Sequence, residues 1–223
     1  MDSSLELNSL KSFLDVTTRL KNADVSVPKI FEQNIENGYI ILEDFGTTHY
    51  LDLLSENNFK AFYTKAINSI LKMQKANASA LPPYNKEFLH AEMQLMQDWY
   101  IEKLLCAKLN ESQKKLIATT LEAISTVVLE QPQGVFVHRD FHSRNIMLKN
   151  DKKIGIIDYQ DAMSGAITYD LVSLLKDCYV AYDRKEIKKL ALEFRDKKGL
   201  KVNDETFIKW FDFMGLQRHI KVL

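Results

Sequence analysis

Cysteine, proline and glycine are all scarce in this chain, with 2, 4 and 7 copies among 223 residues. Cys106 and Cys178 show no CxxC spacing, which excludes a disulfide framework and a zinc knuckle and fits a reducing cytosol. So little glycine and proline, with no low-complexity tract or repeat, leaves little linker and points to a mainly helical chain. An excess of one charge is also lacking, because 30 basic residues balance 30 acidic ones. No global field draws the chain to nucleic acid or to an anionic membrane, so any phosphate recognition must be local. No apolar run approaches the roughly 18 residues of a membrane span. The opening MDSSLELNSLKSF has no basic region followed by an apolar one, so an ordinary secretion signal is not read there and a cytoplasmic protein is expected.

At 46% hydrophobic, the chain has material for one filled core, or for a domain with a smaller appendage. Leu10, Phe13, Leu14 and Val16 fall close to one helical face, which predicts a helix over 7–20 that ends before Pro28. A short strand is predicted over 39–42, after the turn pair Asn37-Gly38 and before Glu43-Asp44-Phe45-Gly46, with a boundary near Gly46. Phe62, Ala66, Ile70 and Met73 mark one helix, Leu89, Met93, Met96, Tyr100 and Leu104 a second, and residues 112–129 a third. Val135-Phe136-Val137 follows a break at Gln131-Pro132-Gln133-Gly134, and 146–148 with 154–157 read as a hairpin. Helices resume after Asp170, giving an α+β, mainly helical arrangement around a small β element with polar ends.

Those polar ends are where chemistry concentrates. Val137-His138-Arg139-Asp140-Phe141-His142-Ser143-Arg144-Asn145 leads into the hairpin, and Ile156-Ile157-Asp158-Tyr159-Gln160-Asp161 leads out of it. Two carboxylates held close repel unless a cation neutralises them. Magnesium suits the set, since it takes carboxylate and amide oxygens, water and phosphate. Asn145 and Asp158 supply such ligands, while Asp140 stays free to orient a hydroxyl or accept its proton. Phosphoryl transfer needs these parts.

The spacing His138 to Asn145 followed by Ile157-Asp158 resembles the catalytic and metal-binding segments of the aminoglycoside phosphotransferase family, which has a protein-kinase-like fold. Residues 92–100, 168–179 and 215–223 resemble its bacterial subfamily of anomeric kinases for N-acetylmuramate and N-acetylglucosamine, used in cell-wall recycling. The resemblance implies an ATP- and magnesium-dependent transferase, with Asp140 as the catalytic residue and Asn145 and Asp158 as metal ligands. It implies structural support from His138 and Asp170. It likens 39–45 to the last small-lobe strand and hinge, placing adenine against Glu43, Asp44 and Phe45. The partners implied are a nucleotide and a sugar. Residues 1–45 would then be the remnant of a small lobe with its hinge, and 46–223 the helical catalytic lobe. The family's Gly-rich turn and strand lysine do not precede the first helix. Met1-Asp2 resembles a point inside the small lobe, Glu6 falls near the start of its helix, and the match still runs at Leu223. A chain incomplete at both ends is therefore implied, and losing preorganised charge of that type costs on the order of 3 to 4 kcal/mol per group.

Other readings compete residue by residue. Glu92, Asp98 and Trp99 would suit a sugar pocket, or equally a helix with a buried Trp and a solvated acidic face. Asp161 serves substrate, a second metal or a turn cap. Arg139 and Arg144 pair with nearby carboxylates or clamp phosphate. Met93 and Met96 read as core, and Cys106 and Cys178 as buried inert thiols on helices. Three rival functions stay open: a non-catalytic kinase-like binding module, a kinase for an antibiotic or other small molecule, and a metal-dependent phosphohydrolase ligating through His138, Asp140, His142 and Asp158.

Overall fold

Helix α1 (Leu7–Asn22) buries Leu10, Phe13, Val16 and Leu20 along one stripe in the computed structural model, which describes residues 7–150 and 152–222. The readings made at Met1, Asp2 and Glu6 lie outside the described residues. Strands β1 (Ile30–Asn34) and β2 (Tyr39–Leu42) pair antiparallel across a turn in which Gly38 takes φ +75°. β2 was legible in the sequence. β1 was not, because four of its five residues are exposed and it carries no apolar period.

The short α2 (Tyr50–Leu53) leads to α3 (Phe59–Met73), α4 (Lys86–Leu95) and α5 (Glu111–Glu130). Asparagine caps set two of these starts: Asn85 accepts from the Phe88 amide, and Asn110 and Gln113 form a reciprocal capping box. The second predicted helix needs correction. Its α-helical register stops at Leu95 and continues as a π-helical segment, Met96–Leu104, closed by the Leu105 amide on the Tyr100 carbonyl. The wider turn breaks the 89-93-96-100-104 stripe, so Met93 is buried while Leu104 is 71% exposed and Trp99 57% exposed. Cys106 and Cys178 also depart from expectation: both are exposed, because they lie in loops beyond the π segment and beyond a later helix.

The central β material is two further two-stranded pairs. β3 (Val135–Val137) pairs with β6 (Met163–Gly165), and β4 (Ile146–Leu148) pairs with β5 (Ile154–Ile156) in the register Ile146 to Ile156. β6, only Met-Ser-Gly, is too short to show a pattern. Helices α6 (Tyr169–Leu175), α7 (Arg184–Lys198) and α8 (Asp204–Lys221) complete the chain, with α8 packed against α4, α5, α6 and α7. Asp183 and Asn203 cap α7 and α8, and Gly199 at φ +75° ends α7.

Two packing relations position the hairpin. On one side the Leu148 amide bonds the Thr48 carbonyl, and on the other the Ile156 amide bonds the Ser26 carbonyl, both at 2.9 Å. α1 meanwhile stacks Phe13 on Tyr159 with ring centroids 5.0 Å apart, and Thr17 Oγ1 lies 2.9 Å from the Tyr159 hydroxyl. The buried faces of α1 and β2 share one apolar core with Tyr63, Phe136 and Leu174.

Phe45 closes over Gly155 so tightly that a β-carbon there would sit 2.4 Å from its ring. Gly155→Ala is therefore expected to destabilise the fold by about 1–3 kcal/mol, and a Phe45→Leu change in the same chain should recover part of it. Urea denaturation of the single and double variants measures this; equal stability of Gly155→Ala and the native chain would show that the ring moves freely.

Candidate active site in the 138–145 loop and the 158 turn

The loop after β3 is held by a carboxylate 31 and 32 residues beyond the two amides it binds. Asp170, buried in the first turn of α6, accepts the amides of His138 at 2.8 Å and Arg139 at 3.1 Å. Arg139 then takes φ +78°, unusual for a side-chain-bearing residue, and Asp140 emerges with its carboxylate partly exposed. The loop closes on itself through the His142 amide to the Asp140 carbonyl and the Asn145 amide to the His142 carbonyl, each 3.0 Å. Ser143 gives both its amide and its hydroxyl to Asp177, at 2.9 and 2.5 Å. His49 Nδ1 meets the Arg144 carbonyl at 2.7 Å. The loop contacts of Asp177 and His49 were missed in the sequence: Asp177 lies in the 168–179 stretch but was given no role there, and both are distant from the loop in the chain.

Asp158 leaves β5 at φ +64°. The Asn145 side-chain amide donates to the Asp140 carbonyl at 3.0 Å and to Asp158 Oδ2 at 3.1 Å, and Gln160 Nε2 donates to Asp158 Oδ1 at 3.0 Å. With its NH2 so committed, Asn145 retains its amide oxygen as an acceptor. Asp140, Asn145 and Asp158 thus converge on one open cleft of about 460 Å³, whose other walls include His49, Asp52, His142, Arg144 and Tyr179.

The other residues singled out in the sequence lie elsewhere. Glu92 is buried and bonded to Tyr84, Arg139 and Lys221, and Asp161 is exposed on the turn before β6. Burial raises the Glu92 carboxyl, yet Lys221, Tyr84 and Arg139 together outweigh that and hold it below its usual range. Asp98 accepts from Gln94, and Lys103 Nζ lies 3.4 Å from the Trp99 ring centre, covering one face of the indole. None of these four lines the cleft. In the segment after β2, Glu43 pairs with Lys149 at 2.9 Å, Asp44 accepts from the Gly46 amide at 2.8 Å, and Phe45 is buried.

His138 is buried with Nε2 3.0 Å from the Ile157 carbonyl, and burial pushes its pKa down to about 4, so it stays neutral at pH 7. Among the described residues no group of three His, Cys, Asp or Glu is arranged to hold a metal ion. His138 faces a carbonyl, so the set His138, Asp140, His142 and Asp158 does not assemble as ligands and the phosphohydrolase reading loses its basis. The oxygens of Asn145 and Asp158 are of the type that a hard divalent cation takes.

Residues 2–199 match the profile of the phosphotransferase enzyme family. The chain belongs to that family. The N-acetylmuramate/N-acetylglucosamine kinase of Pseudomonas aeruginosa is 35% identical over 230 residues, covering 100% of this chain and 67% of that protein. The protein of the same name from Neisseria meningitidis serogroup B is 35% identical over 208 residues, covering 89% and 62%. The chain therefore spans about two thirds of the length of the curated relatives it matches. Among solved structures, aminoglycoside 2'-phosphotransferase-IIIa in its GDP complex gives a TM-score of 0.66 at 15% identity, covering 96% of this chain and 73% of that one. Aminoglycoside phosphotransferase APH(3'')-Id from Streptomyces rimosus, with ADP and streptomycin, gives 0.61 at 14%, covering 94% and 83%. These likenesses show the fold, that of the aminoglycoside phosphotransferases, α+β and mainly helical.

Stability should report the neutral His138. An unfolded chain protonates it near pH 6.5 and the folded chain only near 4, so between those values the unfolded state holds the extra proton and stability rises with pH. Asp170 acts in the opposite sense: burial pushes it up to about 7, so its contribution is full below the ordinary carboxylate range and is lost as pH rises through 7. His138→Gln, which keeps a donor for the Ile157 carbonyl, removes only the rising component. The stability advantage of native over variant should grow by on the order of 3 kcal/mol between pH 4 and 6.5, read by urea titrations at each pH. A difference that is flat with pH would mean that the folded chain carries a charged imidazole.

Proposed function

We propose that this chain provides the catalytic lobe of an ATP- and magnesium-dependent kinase that phosphorylates the anomeric hydroxyl of an N-acetylated amino sugar. The observation carrying this reading is the bridge made by Asn145, which ties the backbone of Asp140 to the carboxylate of Asp158 at the mouth of one cleft. The acceptor class follows the names of the relatives at 35% identity rather than those of the two structural neighbours at 14 and 15%.

In this reading Asp140 orients the sugar hydroxyl and takes its proton late in transfer, a role worth roughly 10²–10⁴-fold in rate. The Asn145 amide oxygen and Asp158 would hold magnesium, which when bound neutralises charge on the β- and γ-phosphates. Residues up to 45 form the nucleotide side, with the backbone of Asp44 and Phe45, beyond the β1–β2 ladder, meeting the adenine. The Lys149 ion pair and the ring stacking over Gly155 fix that segment. Residues 46–223 form the acceptor and catalytic side, where His49, Asp52, His142, Arg144 and Tyr179 stand opposite the Asp158 turn. His138 and Asp170 act as supports of the loop.

Phosphorus NMR with ATP, magnesium and N-acetylglucosamine or N-acetylmuramate tests this directly, and a new sugar-1-phosphate resonance is expected. Asp140→Asn should lower turnover at least about 100-fold while sparing nucleotide binding. Asp158→Asn should weaken the magnesium-dependent part of that binding, measured by calorimetry with and without the ion. An unchanged spectrum, or equal turnover by Asp140→Asn, would overturn the reading.

A further inference from the structure

The cation behind Asp140 has no part in the chemistry described so far. Arg218 comes from the last turn of α8, 79 residues away in sequence, and donates through Nη1 to the Arg139 carbonyl at 2.6 Å. Its Nη2 lies 3.9 Å from Asp140 Oδ1, its guanidinium sits over the Tyr169 ring at 4.7 Å, and its side chain is only 13% exposed. The peptide between Arg139 and Asp140 is thus gripped by α8 at its carbonyl, while the amides of His138 and Arg139 are gripped by Asp170 of α6. Arg139 sits between these grips in the left-handed region, which needs an external restraint to persist.

The side chain of Arg139 is anchored to the same helix. It donates to Glu92 at 2.9 Å, and Glu92 is held in turn by Lys221 at 2.9 Å and by Tyr84, whose hydroxyl accepts from Gln217 at 2.9 Å. Three residues of α8, namely Gln217, Arg218 and Lys221, therefore converge on one backbone turn. We propose that Arg218 is a positioning residue that sets the direction of Asp140, making α8 a structural arm of the catalytic loop. An error of about 1 Å in a reacting group costs on the order of 100-fold in rate. That part of the inference rests on the role proposed for Asp140, whereas the restraint on the loop does not.

Arg218→Met and Arg218→Lys test it by two independent readouts, with Lys209→Ala as a control that breaks only an exposed α8 pair with Glu130. In Arg218→Met, amide hydrogen exchange over 136–145 should quicken at least about tenfold while α3 and α7 keep their protection. Turnover should fall about 100-fold, with KM for nucleotide and sugar within about twofold, and added guanidinium should restore part of it. Arg218→Lys, which keeps one donor and the charge, should lie between Met and native; if the Met variant does not fold, the Lys variant carries the test. Exchange in the loop unchanged from native in the folded variants, or a rise in KM without a fall in turnover, would overturn the assignment. Quickened exchange in a protein whose native form transfers no phosphate would leave the brace standing and remove the kinase reading.

Discussion

The carboxylate of Asp170, buried and bonded to two successive backbone amides, is the restraint on which the geometry of the cleft depends. Burial alone disfavours its charge, and the amide bonds recover part of that cost only while His138 and Arg139 keep their present turn. The carboxylate and the turn therefore stabilise each other. From that fixed point the loop runs out to Asp140, folds back through His142, and returns at Asn145 to touch Asp158. Disturbing the first contact displaces all the later ones, because each is built on the position of the one before.

The cleft is assembled from distant parts of the chain. α1 reaches it by stacking Phe13 on Tyr159, one residue beyond Asp158, and the segment after β2 reaches it through His49 and the Arg144 carbonyl. The ring of Phe45 against Gly155 couples the segment after β2 to the hairpin that carries Asn145 and Asp158 at its two ends. Such contacts between elements of one core leave the cleft little freedom to deform, which is what a reaction relying on position and charge requires.

Electrostatics in the site is arranged by layers of exposure. The buried groups are paired or neutral: Glu92 among cations, Asp177 on Ser143, His138 kept uncharged by desolvation. Of the carboxylates facing the cleft, Asp158 is exposed and Asp140 partly so, with Arg218 3.9 Å from Asp140 and the amides of Asn145 and Gln160 on Asp158. Carboxylates face the cleft, and compensated charge lies behind them.

Much of the framework of the cleft was legible from local pattern. The spacing from His138 to Asn145, the hairpin after it and Asp158 at its exit are contiguous in sequence, and apolar period marked α1, α3, α5 and the β4–β5 pair. What local pattern hid was the π-helical widening after Leu95, which exposes Trp99 and Leu104 although their spacing reads as a buried stripe. It also hid β1, which has no apolar face, and β6, three residues held by β3 on one side and by the backbone of Pro82 and Tyr84 on the other. Composition and short-range spacing settle the chemical inventory and the longer helices, because those depend on neighbours a few residues apart. Only the tertiary structure decided that Glu92 lies buried under Arg139 away from the cleft, that His49 and Asp177 brace the loop, and that Arg218 stands behind Asp140. The physical reason is distance: these contacts join residues 34 to 95 positions apart, and no local propensity encodes which buried charge will meet which backbone carbonyl.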